Sequence, residues 1–325
     1  MLRSREVPGS RCDPKCEPMA RVIFPDCTTY MAELLDDATR ALLPDIEIDV
    51  AKPTPEQLMV RLARCTGALH FNTKLTAPIL SACPNLRVIV FLGTGVSSWV
   101  DLTAAAGHGI RVRNVIGYGD RTIAEHTLAL IFACARKVTS MDRQIRAGVW
   151  RCDALFELEG KTLGLVGLGG VGQATARLAT ALGLKVIAWN RSAMPADIHC
   201  RIVPLEEVFA ESDILSIHLA LNDATRGLVD RRLLELMKPG SIFINTARGL
   251  LVEEAALIDG LESGRIAAAG LDVFQHEPMP MGYRLAALDN VVLTAHSAWM
   301  SPEAGRRLLR LGFTAMRDEL AALKA

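Results

Sequence analysis

From residue 20 onward, short β-branched runs alternate with stretches whose apolar positions recur at helical spacing, the pattern of a parallel α/β sheet. Strands are predicted at Arg21–Phe24, Ile46–Val50, Ala68–Phe71, Leu86–Leu92 and Arg111–Val115, with helices over Tyr30–Leu42, Pro55–Arg64 and Val100–Ala106. A first unit closes near residue 118. One long helical pattern then covers Asp120–Ala147, with Ile123, His126/Thr127, Leu130, Ile131 and Cys134 on its repeat. It is too apolar to be solvated on every side, so an interdomain or subunit contact is expected there. A second series of strands follows at Leu163–Leu168, Lys185–Trp189, Ile214–Leu219, Ser241–Asn245, Ala267–Val273 and Val291–Thr294. Ser301–Leu323 is one amphipathic helix with Pro302 near its start, a position that tolerates proline because no helical partner exists for its missing N–H.

Composition changes this picture little. The 325 residues are about twice a typical domain of ~150, and half are apolar, enough for sizeable cores. Lys+Arg and Asp+Glu both number 36, so no global field draws the chain to nucleic acid or an anionic membrane. The longest apolar stretches, such as Thr127–Ala135, fall far short of the ~20 residues that span a bilayer. The eight cysteines are scattered without a CxxC pair, and Cys12-x3-Cys16 is too weak a pattern to imply a metal. With no signal-peptide core, a reducing cytoplasmic setting is expected. Residues 1–18 are polar and proline-bearing, and a flexible leader is expected there.

Candidate chemistry begins at Gly167-Leu-Gly169-Gly170-Val171-Gly172, a GxGxxG that follows an apolar strand and opens a helix over Gln173–Leu182. Such a turn lets the backbone approach a pyrophosphate and aims free helix amides at it, so a bound dinucleotide is implied. The carboxylate that bonds the adenosine ribose of NAD belongs ~20 residues further on. That place holds Asn190, followed by Arg191 and Ser192: a neutral side chain, a cation and a hydroxyl. NADP is therefore the expected cofactor, the alternative being NAD with Asn190 on a plain ribose.

Together with Ile244-Asn-Thr-Ala-Arg-Gly249, Ala269-Gly-Leu-Asp-Val-Phe-Gln-His-Glu-Pro278 and Leu293-Thr-Ala-His-Ser297, the glycine turn resembles the D-isomer-specific 2-hydroxyacid dehydrogenases, over nearly the whole chain after residue 20. The resemblance implies two flavodoxin/Rossmann-like doubly wound parallel-sheet domains: a substrate domain of residues 19–118 and 298–325, and a dinucleotide-binding domain of 119–297. It also implies a homodimer in which the region of the long helix crosses to the partner.

The three blocks supply what reduction of a small 2-oxo acid to a 2-hydroxy acid requires. Arg248 offers a bidentate fork to the substrate carboxylate and carbonyl, His296 a proton donor, and Glu277 an anion to orient the imidazole. These match the family's catalytic Arg, Glu and His. By the same resemblance Asp272 binds the nicotinamide carboxamide, while His218, Thr225, Thr246 and Ala247 line the cofactor cleft. Gly93, Thr94 and Gly95 form a substrate loop with unshielded amides. Glyoxylate or hydroxypyruvate fits this chemistry. A dinucleotide-sensing corepressor on the same scaffold, or a short phosphoglycerate dehydrogenase, stays open. Two departures from the family pattern, Ala295 before His296 and Val-Ser-Ser-Trp99 after Gly95, together with the bulky Trp299, bear on the pocket for the substrate's side chain.

Overall fold

The computed structural model describes residues 21–151, 154–191 and 200–325. The leader expected at 1–18, with Cys12 and Cys16, and Ser192 of the expected phosphate site lie outside these described residues.

The chain divides into two compact units, the first of residues up to Leu92, Ser98–Asn114 and Gly312–Ala325, the second of Gly93–Ser97 and Val115–Leu311. The first holds β1 (Val22–Cys27), β2 (Glu47–Val50), β3 (Gly67–His70), β4 (Val88–Phe91) and β5 (Arg111–Asn114). All pair in parallel in the order β2-β1-β3-β4-β5, a flavodoxin-like winding. The helix expected over Tyr30–Leu42 is instead two short ones, Thr29–Leu34 and Asp37–Arg40. Asp36 accepts from the Thr39 amide and starts the second, so a local cap overrides the periodicity.

The second unit holds β6 (Thr162–Val166), β7 (Lys185–Trp189), β8 (Arg201–Ile202), β9 (Ile214–Ile217), β10 (Ser241–Asn245), β11 (Ile266–Leu271) and β12 (Val291–Leu293). Their order, β12-β11-β10-β9-β6-β7-β8, reverses direction between β6 and β9, the switch point at which doubly wound sheets bind ligands beyond the strand C-termini. Successive residues feed opposite faces, as a strand's period of two demands. Leu163, Leu165, Ile242 and Ile244 join one buried cluster, while Val166, Leu215, Ile217 and Phe243 join the other. Each such side chain contributes roughly 1.5–3 kcal/mol on full burial.

The pattern read as one helix over Asp120–Ala147 is two, Asp120–Ala135 and Val138–Arg146. Lys137 between them adopts the left-handed conformation, φ 50°. The first helix buries Ala124, Thr127, Leu128, Leu130, Ile131 and Cys134 and packs against β10, β11 and β12; the second buries none of its residues. The break falls where the apolar support stops. Pro302–Lys324 is one helix that starts in the second unit and ends in the first.

Candidate active site

The glycine turn forms as its spacing demands. Gly167 has φ 104°, and a Cβ there would press on the His218 carbonyl. A Cβ on Gly172 would strike the Gly167 carbonyl oxygen, so the Gly170–Ala181 helix can leave the strand this tightly only with glycine at that position. At Gly169 an added Cβ would meet nothing within 4 Å, which leaves a bare backbone at the helix N-terminus where a pyrophosphate fits. Val171 lies in the first turn of that helix. Asn190, at the end of β7, turns its side-chain oxygen inward to accept from the Leu168 amide at 3.0 Å, so it braces the turn itself. Arg191 follows directly.

His218 follows β9, with Nε2 2.9 Å from Ser216 Oγ. Burial pushes its imidazole down to about 4, so it is neutral at neutral pH. The hydroxyls of Thr225 and Thr246 are engaged within the protein. Thr225 donates to Ala220 O at 2.7 Å. Thr246 Oγ1 lies 3.0 Å from that of Thr127, which itself donates to Ile123 O. Ala247 donates its amide to Asn245 Oδ1 and accepts from Arg248 Nη1.

Three sequence blocks converge beyond the ends of β10, β11 and β12. His296 Nδ1 lies 2.6 Å from Glu277 Oε2, while the Phe274 amide donates to Glu277 Oε1 at 2.9 Å. A carboxylate only accepts, so Nδ1 carries the proton in this contact and Nε2 is left for other work. Desolvation raises the Glu277 carboxyl, but the His296 hydrogen bond, the Phe274 amide and the charges of His296 and Arg248 outweigh it and hold the group below the usual carboxylate range. Arg248 is lowered by burial, against the opposing pull of Tyr118 and Glu277. Gly95 of the expected substrate loop lies against this guanidinium so closely that a Cβ would collide with Arg248 Nη2. Gly93 accepts from the Val115 amide, and Thr94 O from that of Val96.

His296 has φ 50°, a left-handed backbone that costs a non-glycine residue about 1–2 kcal/mol. Asp272, fully buried, holds it there: its carbonyl accepts from the His296 amide at 2.8 Å, and its carboxylate accepts from the Ser297 and Ala298 amides, both at 2.9 Å. Tyr118 is a neighbour that motif reading missed. It is buried, its phenol is pushed up to about 12 mainly by desolvation, it senses the Arg248 charge, and Trp299 packs edge-on at 6.1 Å. An aromatic residue in a glycine-rich loop carries no periodic signal, so only the tertiary structure brings it to Arg248. Among the described residues, no group of three or more His, Cys, Asp or Glu could hold a metal ion, and no helix is long and apolar enough to cross a membrane.

A glycine turn at the switch point of a Rossmann sheet, beside a paired imidazole and carboxylate and a buried guanidinium, defines a dinucleotide-dependent oxidoreductase. Residues 128–298, just over half of the chain, match the NAD-binding domain of the D-isomer specific 2-hydroxyacid dehydrogenases. The chain belongs to that family and is an NAD(P)-dependent oxidoreductase interconverting 2-oxo and 2-hydroxy acids. It is 37% identical to a hydroxypyruvate reductase of Thermotoga maritima over 84% of this chain and 91% of the relative. To a glyoxylate reductase of Aeropyrum pernix it is 34% identical, over 89% and 88%. Among solved structures, an acyclic imino acid reductase in complex with NADPH and D-Arg superposes with a TM-score of 0.83 at 30% identity, covering 93% of this chain and 97% of that one.

Proposed function

We propose that this chain reduces a small 2-oxo acid such as glyoxylate or hydroxypyruvate to the D-2-hydroxy acid, with NADPH preferred over NADH. The 2.6 Å His296–Glu277 contact carries the reading, since it pairs an imidazole with a carboxylate that also feels the charge of a buried arginine. When bound along Gly167–Gly172, with His218, Thr225, Thr246 and Ala247 along the cleft and the fully buried Asp272 holding the His296 loop, the reduced nicotinamide supplies the hydride. Arg248 orients the carboxylate and carbonyl through its fork, and the amides of Gly93, Thr94 and Gly95 receive the remaining carboxylate oxygen. His296 Nε2 gives its proton to the carbonyl oxygen as that oxygen becomes an alcohol. Glu277 stabilises the imidazolium and fixes its orientation. A panel of 2-oxo acids assayed with both nicotinamides tests the reading. Dinucleotide binding without turnover of any of them would favour a sensing protein on the same scaffold.

Glu277 also makes a prediction about pH. Its carboxyl is held below the ordinary range, so it stays ionised, and its support for the imidazolium is lost only in acid, as pH falls through that lowered value. The Glu277→Gln variant lacks the anion at every pH, so reduction, which needs the imidazolium, fails earlier on the alkaline side. The alkaline limb of kcat against pH moves to lower pH; an unmoved limb assigns the role to another carboxylate.

NADPH preference rests on Arg191 together with the neutral Asn190. Arg191→Ala is expected to lower kcat/KM for NADPH by about 10-fold or more, the loss of one charge-assisted contact, and to leave NADH within about 2-fold. A wild type that favours NADH, or an unmoved ratio, removes the assignment.

A homodimer is part of the same proposal. The Val138–Arg146 helix buries no residue, Val138, Ile145 and Val149 stand exposed, and Trp150 is 92% exposed. Beside them lies a groove of about 860 Å³ of mixed lining, with Phe156, Ile242 and Val292 alongside Ser140, Arg143 and Asn290, a seat for the same helix and Trp150 of a second copy. Sedimentation at micromolar concentration is expected to give twice the 35.2 kDa of one chain; a stable single-chain mass contradicts it. Cys27 and Cys134 are buried, and desolvation pushes both thiols up to about 12, which suits the reducing cytoplasm proposed for this chain.

A further inference from the structure

The geometry points to His126, on the Asp120–Ala135 helix, as a positioning residue for His296, acting through Thr294 and Asp272. This rests on the proposed role of His296. The Asp272 carboxylate accepts from the Ser297 and Ala298 amides on either oxygen and from Thr294 Oγ1, at 2.6 Å, on Oδ1. A threonine hydroxyl has one proton, and this short contact uses it, because the carboxylate can only accept. The 3.0 Å contact between Thr294 Oγ1 and His126 Nε2 must then run the other way, with the imidazole N–H donating to the hydroxyl oxygen. The same Nε2 is 3.6 Å from Asp272 Oδ1, so the donor also faces the carboxylate.

The result is a directed chain, His126 Nε2–H to Thr294 Oγ–H to Asp272 Oδ1, which ends on the group that carries the two amides following His296. Asp272 is fully buried, and without these donors its lone pairs would be under-satisfied. The chain therefore fixes the carboxylate rotamer, the rotamer fixes the Ser297 and Ala298 amides, and these keep His296 in its left-handed backbone facing Glu277. The Asp120–Ala135 helix, packed on β11 and β12, supplies a rigid anchor at the other end. His126 touches no reacting group in this scheme; it acts through the loop.

Two independent readouts test it in the full-length protein. In His126→Phe, which keeps a ring but has no donor, and in Thr294→Val, kcat for 2-oxo acid reduction is expected to fall about 10- to 10²-fold, the scale of a small misplacement of a reacting group. The Kd for NADPH, read by fluorescence, is expected to stay within about 2-fold. Thr294→Ser restores kcat, and the double variant is no slower than the worse single one, because the two residues form one chain. Hydrogen exchange is expected to accelerate in both variants over residues 296–298 but not in β12. Wild-type kcat and unmoved exchange in both variants overturn the inference, as does a loss that follows Kd or the folded fraction. If the wild type turns over no 2-oxo acid, the proposed function fails; exchange at 296–298 in the variants still decides the positioning role.

Discussion

Replacing His296 by Asn is expected to lower kcat for 2-oxo acid reduction by ~10²–10⁴, the range of general acid–base loss, while the Kd for NADPH changes little. Asn suits this test because it tolerates positive φ better than most side chains, and His296 sits at φ 50°. The loop pinned by Asp272 is thus preserved, and its side-chain amide can still donate to Glu277. What Asn cannot do is hold a transferable proton near neutral pH. The measurement is steady-state kinetics alongside cofactor titration. A variant within about 3-fold of wild-type kcat would place the proton donor elsewhere.

Gly249→Ala is expected to be as damaging, by a different route. An added Cβ at Gly249 would overlap the carbonyl carbon and oxygen of Phe274 and come within 2.5 Å of the Gln275 nitrogen. Those atoms are main chain and cannot rotate away, so the two segments must separate. Gly249 follows Arg248, and the Phe274 amide holds Glu277 Oε1 at 2.9 Å. One methyl group therefore drives the guanidinium away from the carboxylate that orients His296. A displacement near 1 Å suffices for a ~10²-fold loss in kcat/KM, and overpacking of this kind destabilises by about 1–3 kcal/mol. Kinetics and a denaturant midpoint on the same preparation check both, and near-wild-type kcat/KM would show that the blocks do not need this close approach.

Much of this was legible along the chain. β7 and β10 run over the predicted residues, and the other predicted strands are found with their ends moved by a few positions, because apolar runs bounded by polar turns survive in any context. The glycine turn was equally plain, since Gly167 and Gly172 are demanded by backbone sterics within a few residues. Helix continuity was harder. The breaks at Asp36 and Lys137 depend on a single cap and a single left-handed residue, which a periodic pattern averages away.

The two doubly wound units and the glycine turn, and the proposed trio Arg248, Glu277 and His296, could be read along the chain because each is written in local spacing or in a short block. What these residues touch is set by long-range packing. It turned Asn190 inward onto Leu168, engaged Thr246 with Thr127, and set Tyr118 near Arg248. It also gave His126, a residue that the pattern placed on an ordinary apolar face, a hydrogen-bonded path to the His296 loop. The reason is physical: a hydrogen bond depends on distances of a few tenths of an ångström between groups as much as 168 residues apart, and only the packed sheet and helices set those distances.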